Sequence, residues 1–168
     1  MKGRCHLRIV SCILIALLVG ADQLTKYWAV GTLTAGKTIT VIPGLLEFTY
    51  VENYGAAFGV LQNKTLFFVL LTGLAVLAFT AFLFFYKKHT PLTYAICTLL
   101  IAGGIGNMID RIAQSYVVDF IHVLFFPPVF NVADCCAVIG TGLVVVYALF
   151  FMDKGKKVPA PEEPHEHE

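Results

Sequence analysis

The stretch LFFVLLTGLAVLAFTAFLFFY, residues 66–86, contains no charged side chain. A helix crosses the hydrocarbon core of a bilayer with about 20 mostly apolar residues, and one that is apolar all round has to be buried in a large core or in lipid. Working outward, three more segments have the same character. The first runs from about Leu7 to Val30, interrupted by Asp22 and Lys26; another runs from Tyr94 to Ile112, clean until Asn107, Asp110 and Arg111; the last runs from Val132 to Phe151, clean after Asp134. The whole chain agrees: of 168 residues, 58% are hydrophobic, 13% aromatic and only 14% charged, with a mean hydropathy of +0.78. Soluble domains carry about 25% charged residues, so disorder and an ordinary cytosolic enzyme are both excluded. A net charge of +1 leaves no electrostatic footprint for nucleic acid, and none is expected as a partner.

The expected fold is membrane all-α: a four-transmembrane-helix bundle, with spans at about 7–30, 66–86, 94–112 and 132–151, carrying a small extracytoplasmic antiparallel β-sheet and an interfacial loop. Residues 1–157 form one unit on this reading. The polar, Pro-rich tail at 158–168 is expected to be disordered and cytoplasmic. The first span begins like a signal peptide, with Lys2, Arg4 and Arg8 ahead of an apolar run and small residues at Val19-Gly20-Ala21. Apolar character resumes after Asp22 through Tyr27-Trp28-Ala29-Val30, so the segment is expected to be retained as a span. With the N-terminus inside, the inner segments hold Lys2, Arg4, Arg8, Lys87, Lys88, Lys154, Lys156 and Lys157, and the outer side holds Lys26, Lys37, Lys64 and Arg111. That balance favours both termini on the cytoplasmic side.

This orientation gathers the polar residues. Asp22 and Lys26 lie at the outer end of the first span. Asn107, Asp110 and Arg111 lie at the outer end of the third, and Asn131 and Asp134 at the outer end of the fourth. A charge inside a span costs at least ~2.5 kcal/mol, and such residues are functional candidates. Each also has a plainer reading. Asp22 and Lys26, at i and i+4, are placed to neutralise each other. Asn107, Asp110 and Arg111 are placed to hydrogen-bond as a loop-fixing cluster, and Asp134 to pair with Arg111. Gly103, Gly104 and Gly106 suit close helix packing. The five cysteines (Cys5, Cys12, Cys97, Cys135, Cys136) follow no ligand spacing and read as small apolar residues.

Between the first two spans, residues 38–42 and 46–52 alternate in polarity around Pro43-Gly44, the pattern of a β-hairpin. The segment Asn53-Tyr54-Gly55-Ala56-Ala57-Phe58-Gly59 follows, either a plain return loop or a glycine-rich device for close approach. Between the last two spans, Val117-Val118-Asp119-Phe120-Ile121 is an apolar run broken by one carboxylate. Leu124 to Phe130 is too apolar for a loop in water and is expected to lie in the membrane interface, returning Asp119 toward Asp134.

Two carboxyls sharing a site have their titrations pushed apart, so one proton stays between them near neutral pH. The ionised partner can deprotonate an attacking water while the protonated one polarises a carbonyl. This chemistry uses no metal and no cofactor. Other chemistries lack their parts: there is no HExxH, GxSxG or P-loop, and His122 lacks a third ligand for a metal. A small ion-coupled transporter using the acidic pair is the alternative, although such sites sit near the midplane between internal repeats; a purely structural membrane subunit comes third.

Five stretches in order resemble the lipoprotein signal peptidases (signal peptidase II). They are Asp22-Gln23-Leu24-Thr25-Lys26, Asn53 to Gly59, Gly103 to Arg111, Val117 to Ile121 and Phe130 to Asp134. The resemblance covers roughly residues 22–140. It implies a bacterial membrane aspartic endopeptidase with Asp119 and Asp134 as the catalytic pair. It implies supporting or substrate-binding roles for Asn53, Gly55, Asn107, Arg111 and Asn131, and structural polar roles for Asp22, Lys26 and Asp110. The implied substrate is a prolipoprotein with a diacylglyceryl-modified cysteine, cleaved on the amino side of that cysteine. The other implied partners are membrane lipids, with a monomeric enzyme in the cytoplasmic (inner) membrane and its site on the extracytoplasmic face. Cys135-Cys136, Ala137 and Ile105 depart slightly from the family pattern, but every expected polar position is filled.

Overall fold

A computed structural model of the chain describes residues 2–55 and 64–151. The tail expected to be disordered, and Ala56 to Gly59 of the glycine-rich stretch, lie outside the described residues. The element order is α1 (Lys2–Leu33), β1 (Ile39–Ile42), β2 (Leu46–Asn53), α2 (Thr65–Phe85), α3 (Pro91–Gln114), β3 (Val117–Val123), β4 (Val129–Phe130) and α4 (Val132–Phe151). All four helices are long and apolar enough to cross a membrane. The expected bundle and small antiparallel sheet are therefore both present.

The bundle is built around α3, which packs against α1, α2 and α4. Half of its apolar window is buried, against 11–17% for the other three helices. The outward faces carry large apolar side chains such as Leu24, Leu66, Leu74 and Leu149, each more than 65% exposed. That inversion is stable only in lipid, where the helices satisfy their own backbone groups. Close contact between α3 and α4 depends on Gly103, where a Cβ would fall 2.6 Å from the Ala133 carbonyl oxygen. At Gly106 a Cβ would fall 2.7 Å from a carboxylate oxygen of Asp22. The glycines thus let three helices approach where the polar side chains lie, beyond the general packing role their composition suggests.

α1 runs without a break through residues 20 and 21, the point where a signal peptide would be cut. α3 starts on a reciprocal cap, in which the Thr93 amide donates to the Thr90 hydroxyl and the Thr90 amide to the Thr93 hydroxyl. It ends at Ser115, whose positive φ of 69° turns the chain directly into β3.

The sheet has the order β1-β2-β3-β4, with every neighbour antiparallel. The β1–β2 hairpin follows the sequence expectation, turning at Gly44 with φ of 74°. Residues 117–123 add what alternation did not reveal: β3 is a central strand paired with β2, and after the apolar, largely exposed loop at 124–128 the short β4 pairs back onto it. Val117, Val118, Asp119 and Phe120 are all buried. A strand covered on both faces shows no alternation, which is why its pattern was not visible. The sheet packs on the end of α1 through Ala29, Leu33, Val118 and Phe120. Trp28, Phe48 and Phe120 meet there edge to face, with ring centroids 5.6–6.2 Å apart.

Candidate active site

The polar residues fall into two connected layers. The first joins α1 to α3. Lys26 Nζ lies 2.8 Å from Asp22 Oδ2 and 3.1 Å from Asp110 Oδ2, and all three side chains are at most 5% exposed. Lys26 also donates to Asn107 Oδ1 at 3.0 Å. Each carboxylate then ties down a backbone elsewhere. The Ala133 amide donates to Asp22 Oδ1 at 2.8 Å, fastening the first turn of α4 to α1. The Val118 amide donates to Asp110 Oδ2 at 3.0 Å, fixing where β3 begins. Asp22 and Lys26 therefore do more than neutralise each other. Gln23 completes this layer, donating to Asp110 Oδ1 at 3.0 Å and to the Gly106 carbonyl at 3.2 Å. Its role was not singled out from the sequence, although a polar side chain beside Asp22 within a span was the available signal.

The second layer holds Asp119 and Asp134. Asn131 and Asp134 form a reciprocal cap at the start of α4. The Asp134 amide donates to Asn131 Oδ1 at 2.8 Å, and the Asn131 amide donates to Asp134 Oδ2 at 3.2 Å. The spacing that caps the helix thereby aims the Asp134 carboxylate. Its other oxygen accepts from Asn107 Nδ2 at 2.7 Å. Asn131, fully buried, then reaches across to β3, where its Nδ2 donates to Asp119 Oδ1 at 2.6 Å. The same amide group lies within bonding distance of Asn107 Oδ1 and the Val118 carbonyl. Asp119 Oδ2 accepts from Asn53 Nδ2 at 2.8 Å. One asparagine thus links both carboxylates, which are 15 residues apart in sequence, and neutral amides serve all four carboxylate oxygens.

Asp119 is 2% exposed. Burial, and then the charge of Asp134, push its carboxyl up to about 7. The amides of Asn53 and Asn131 and the charge of Lys26 pull the other way. The cation nearest in sequence terms, Arg111, is engaged elsewhere. It donates to the Gly55 carbonyl at 3.2 Å and the Asn107 carbonyl at 3.3 Å, and its guanidinium sits 5.0 Å from the centroid of the Phe68 ring. It therefore ties α3 to the end of β2 and to α2 and forms no ion pair with Asp134. Gly55 in turn donates its amide to Asn53 Oδ1 at 3.0 Å, so that the opposite face of the Asn53 amide points at Asp119. The structure brings every candidate site residue from the sequence into one connected network. His122 lies apart from it, with Nδ1 2.9 Å from Glu47 Oε1 on the neighbouring strand.

An apolar groove of about 230 Å³ opens beside the second layer. It runs along α3 from Leu100 to Arg111, between Val76 and Phe79 of α2 and Ala137 of α4, and Asn107 and Arg111 form its polar end. At 1.5 Å per residue that is roughly 16 Å of helix.

Fold and site together define a four-span membrane protein with a carboxylate pair where the bundle meets an extramembrane sheet. Residues 14–150 match the family described as Signal peptidase (SPase) II, and the chain belongs to that family of membrane peptidases. It is 39% identical over 144 residues to the lipoprotein signal peptidase of Clostridium tetani, covering 83% of this chain and 92% of that protein. It is 41% identical over 142 residues to that of Caldanaerobacter subterraneus, covering 84% and 97%. Among solved structures, a bacterial membrane enzyme determined by the in meso method at 2.3 Å resolution superposes with a TM-score of 0.82 at 33% identity, over 90% of this chain and 94% of that one.

Proposed function

We propose that this peptidase removes the signal peptide from diacylglyceryl-modified prolipoproteins, cleaving on the amino side of the lipidated cysteine by aspartate-activated water. The observation that carries the reading is the Asn131 bridge, which holds Asp119 and Asp134 in one buried network of neutral amides. With the Asp119 carboxyl pushed up to about 7, the pair keeps one proton to near neutrality. The ionised member takes a proton from water as the water oxygen attacks the scissile carbonyl, and the protonated member donates to the developing oxyanion. Collapse of the tetrahedral adduct breaks the C–N bond. The leaving amine of the cysteine takes up a proton from the pair, and the signal peptide leaves as a carboxylate. No metal and no cofactor takes part.

Asn53, Asn107, Arg111 and Asn131 orient the carboxylates and offer donors to substrate carbonyls. Asp22, Lys26 and Asp110 hold α1, α3, α4 and β3 together beneath them. The groove along α3 suits the apolar part of a membrane-embedded substrate, whose binding energy positions the scissile bond at its polar end. The distribution of Lys and Arg supports an inner-membrane protein with both termini cytoplasmic and the site on the extracytoplasmic face. The enzyme then acts as a monomer among membrane lipids, with no nucleic-acid partner.

The test is cleavage of a lipid-modified prolipoprotein by Asp119→Asn and Asp134→Asn enzymes purified in detergent. Both variants are expected to fold and neither to cleave. Near-normal processing by either one contradicts the reading. A strong chelator is expected to leave the rate unchanged; inhibition reversed by one added metal ion contradicts it as well.

A further inference from the structure

Glu52 lies on β2 beside the candidate site but outside every role assigned above. Along β2, Val51 is opposite Asp119 and Asn53 opposite Val117, so these residues share the face of the sheet that carries Asp119. Glu52 is opposite Val118, on the other face. There its carboxylate accepts two phenolic protons. Tyr50 donates to Oε1 at 3.0 Å and Tyr54 donates to Oε2 at 2.6 Å. The Tyr54 ring also packs on Tyr116, with centroids 5.3 Å apart. Tyr116 sits between α3 and β3, so Tyr54 is held at both its hydroxyl and its ring. Both phenols hold their protons more tightly than a free tyrosine. For Tyr54 the bond to Glu52 is the largest cause; for Tyr50 burial comes first, with Glu52 contributing.

Asn53 lies between these two anchored neighbours. Its amide has two faces, and only one orientation serves Asp119. The Gly55 amide selects that orientation by donating to Oδ1, and the turn through Tyr54 decides where the Gly55 amide points.

We propose that Glu52 is a positioning residue of the reaction: by gripping Tyr50 and Tyr54 on the far face of β2, it fixes the turn that aims Asn53 at Asp119. Glu52 itself touches neither the carboxylate pair nor a substrate lying against it. The inference rests on the reading of Asp119 and Asp134 as the reacting pair.

The groups bearing on Asp119 are Asp134 from α4, Lys26 from α1, Arg111 from α3, Asn131 ahead of α4 and Asn53 from β2. Of these, Asn53 answers to Glu52. The Asn53 bond favours ionised Asp119, so loosening it lets the pair hold its last proton to higher pH.

The experiment measures kcat, KM and the pH profile of kcat for Glu52→Ala, Glu52→Gln, Tyr54→Phe, Asn53→Ala and the Glu52→Ala/Asn53→Ala double variant, on purified enzyme with lipid-modified prolipoprotein. Glu52→Ala is expected to lower kcat about ten-fold, because small misplacements of a reacting group are costly, with KM changed less than two-fold. Its basic limb should move to higher pH, as in Asn53→Ala. Glu52→Gln keeps an acceptor for Tyr54 and should recover to within about three-fold of the parent. Tyr54→Phe should resemble Glu52→Ala. The double variant should be no slower than Asn53→Ala alone, the signature of two residues acting through one contact. A Glu52→Ala enzyme with an unmoved limb, or a loss that multiplies onto that of Asn53→Ala, overturns the inference. Should Glu52→Ala not fold, Tyr54→Phe decides the matter by the same limb: moved to higher pH it supports the inference, unmoved it overturns it. A parent-like Asn53→Ala enzyme would instead overturn the role given to Asn53 in the underlying reading.

Discussion

The two buried carboxylate groups of this molecule are built from the same residue type and share Asn107, yet they are opposites. Asp22 and Asp110 bracket a buried lysine and accept backbone amides from α4 and β3. Among the described residues, the hydrogen bonds to Asp119 and Asp134 come from neutral side-chain and backbone amides. In the first group one lysine lies between the two carboxylates, and their bonds to the Ala133 and Val118 amides join α1 to α4 and α3 to β3. In the second, two acids share a buried site with no cation in contact among the described residues, and the proposed reading has them retain one proton near neutrality. On the proposed reading, the carboxylates bound to a lysine stabilise the bundle and the other pair is left available for proton transfer. Asn107 accepts from Lys26 with its oxygen and donates to Asp134 with its nitrogen, so it is the joint between the two.

The largest effect that separates the groups is on turnover. Asp119→Asn and Asp134→Asn should each lower the cleavage rate on the order of 10⁴-fold, the scale of general acid–base contributions. Thermal unfolding in detergent should show both still folded. Lys26→Ala should do the reverse. It leaves two buried carboxylates without their cation, a loss of about 3–5 kcal/mol of stability, read as a lower yield of folded protein and a lower Tm; a Tm equal to the parent's would remove the distinction between the two layers.

A smaller effect follows the pH. The folded Asp119 carboxyl is raised from 3.8 to about 7. Its contribution to stability is thus fully present below pH ~4 and is lost as pH rises through 7. Asp119→Asn should abolish that part of the decline, measured as Tm against pH, whereas a parallel decline in the variant would place the titration elsewhere. The smallest effect belongs to the Glu47–His122 pair, partly exposed on the sheet. Glu47→Gln should change stability by no more than about 1 kcal/mol and leave the cleavage rate unaltered; a rate loss there would extend the site along the sheet.

Much of this was legible in the chain alone. The four spans follow from length and apolarity. The first hairpin follows from alternation around Pro43-Gly44, and the gathering of polar residues at one end of the bundle from the alternating direction of successive spans. The pairing of β3 with β2 was not legible, because Val117 to Phe120 are covered on both sides and leave no period-two signal. The second partner of Lys26 was equally hidden: the i, i+4 spacing with Asp22 is local, while contact with Asp110 depends on how closely Gly106 lets α1 approach α3. Asn131 and Asp134 stand at the spacing of a reciprocal helix cap. That the capping asparagine would also reach Asp119 is a property of the sheet's register, which local sequence does not encode.

The central claim is that Asp119 and Asp134 hold one proton between them near neutral pH. Infrared titration of the protonated-carboxyl band tests it most directly, comparing the parent enzyme with Asp119→Asn and Asp22→Asn. The account predicts a band that persists to about pH 7, vanishes in Asp119→Asn and survives in Asp22→Asn. A parent enzyme with no protonated carboxyl above pH ~5, or a band that outlasts the Asp119→Asn substitution, would contradict it.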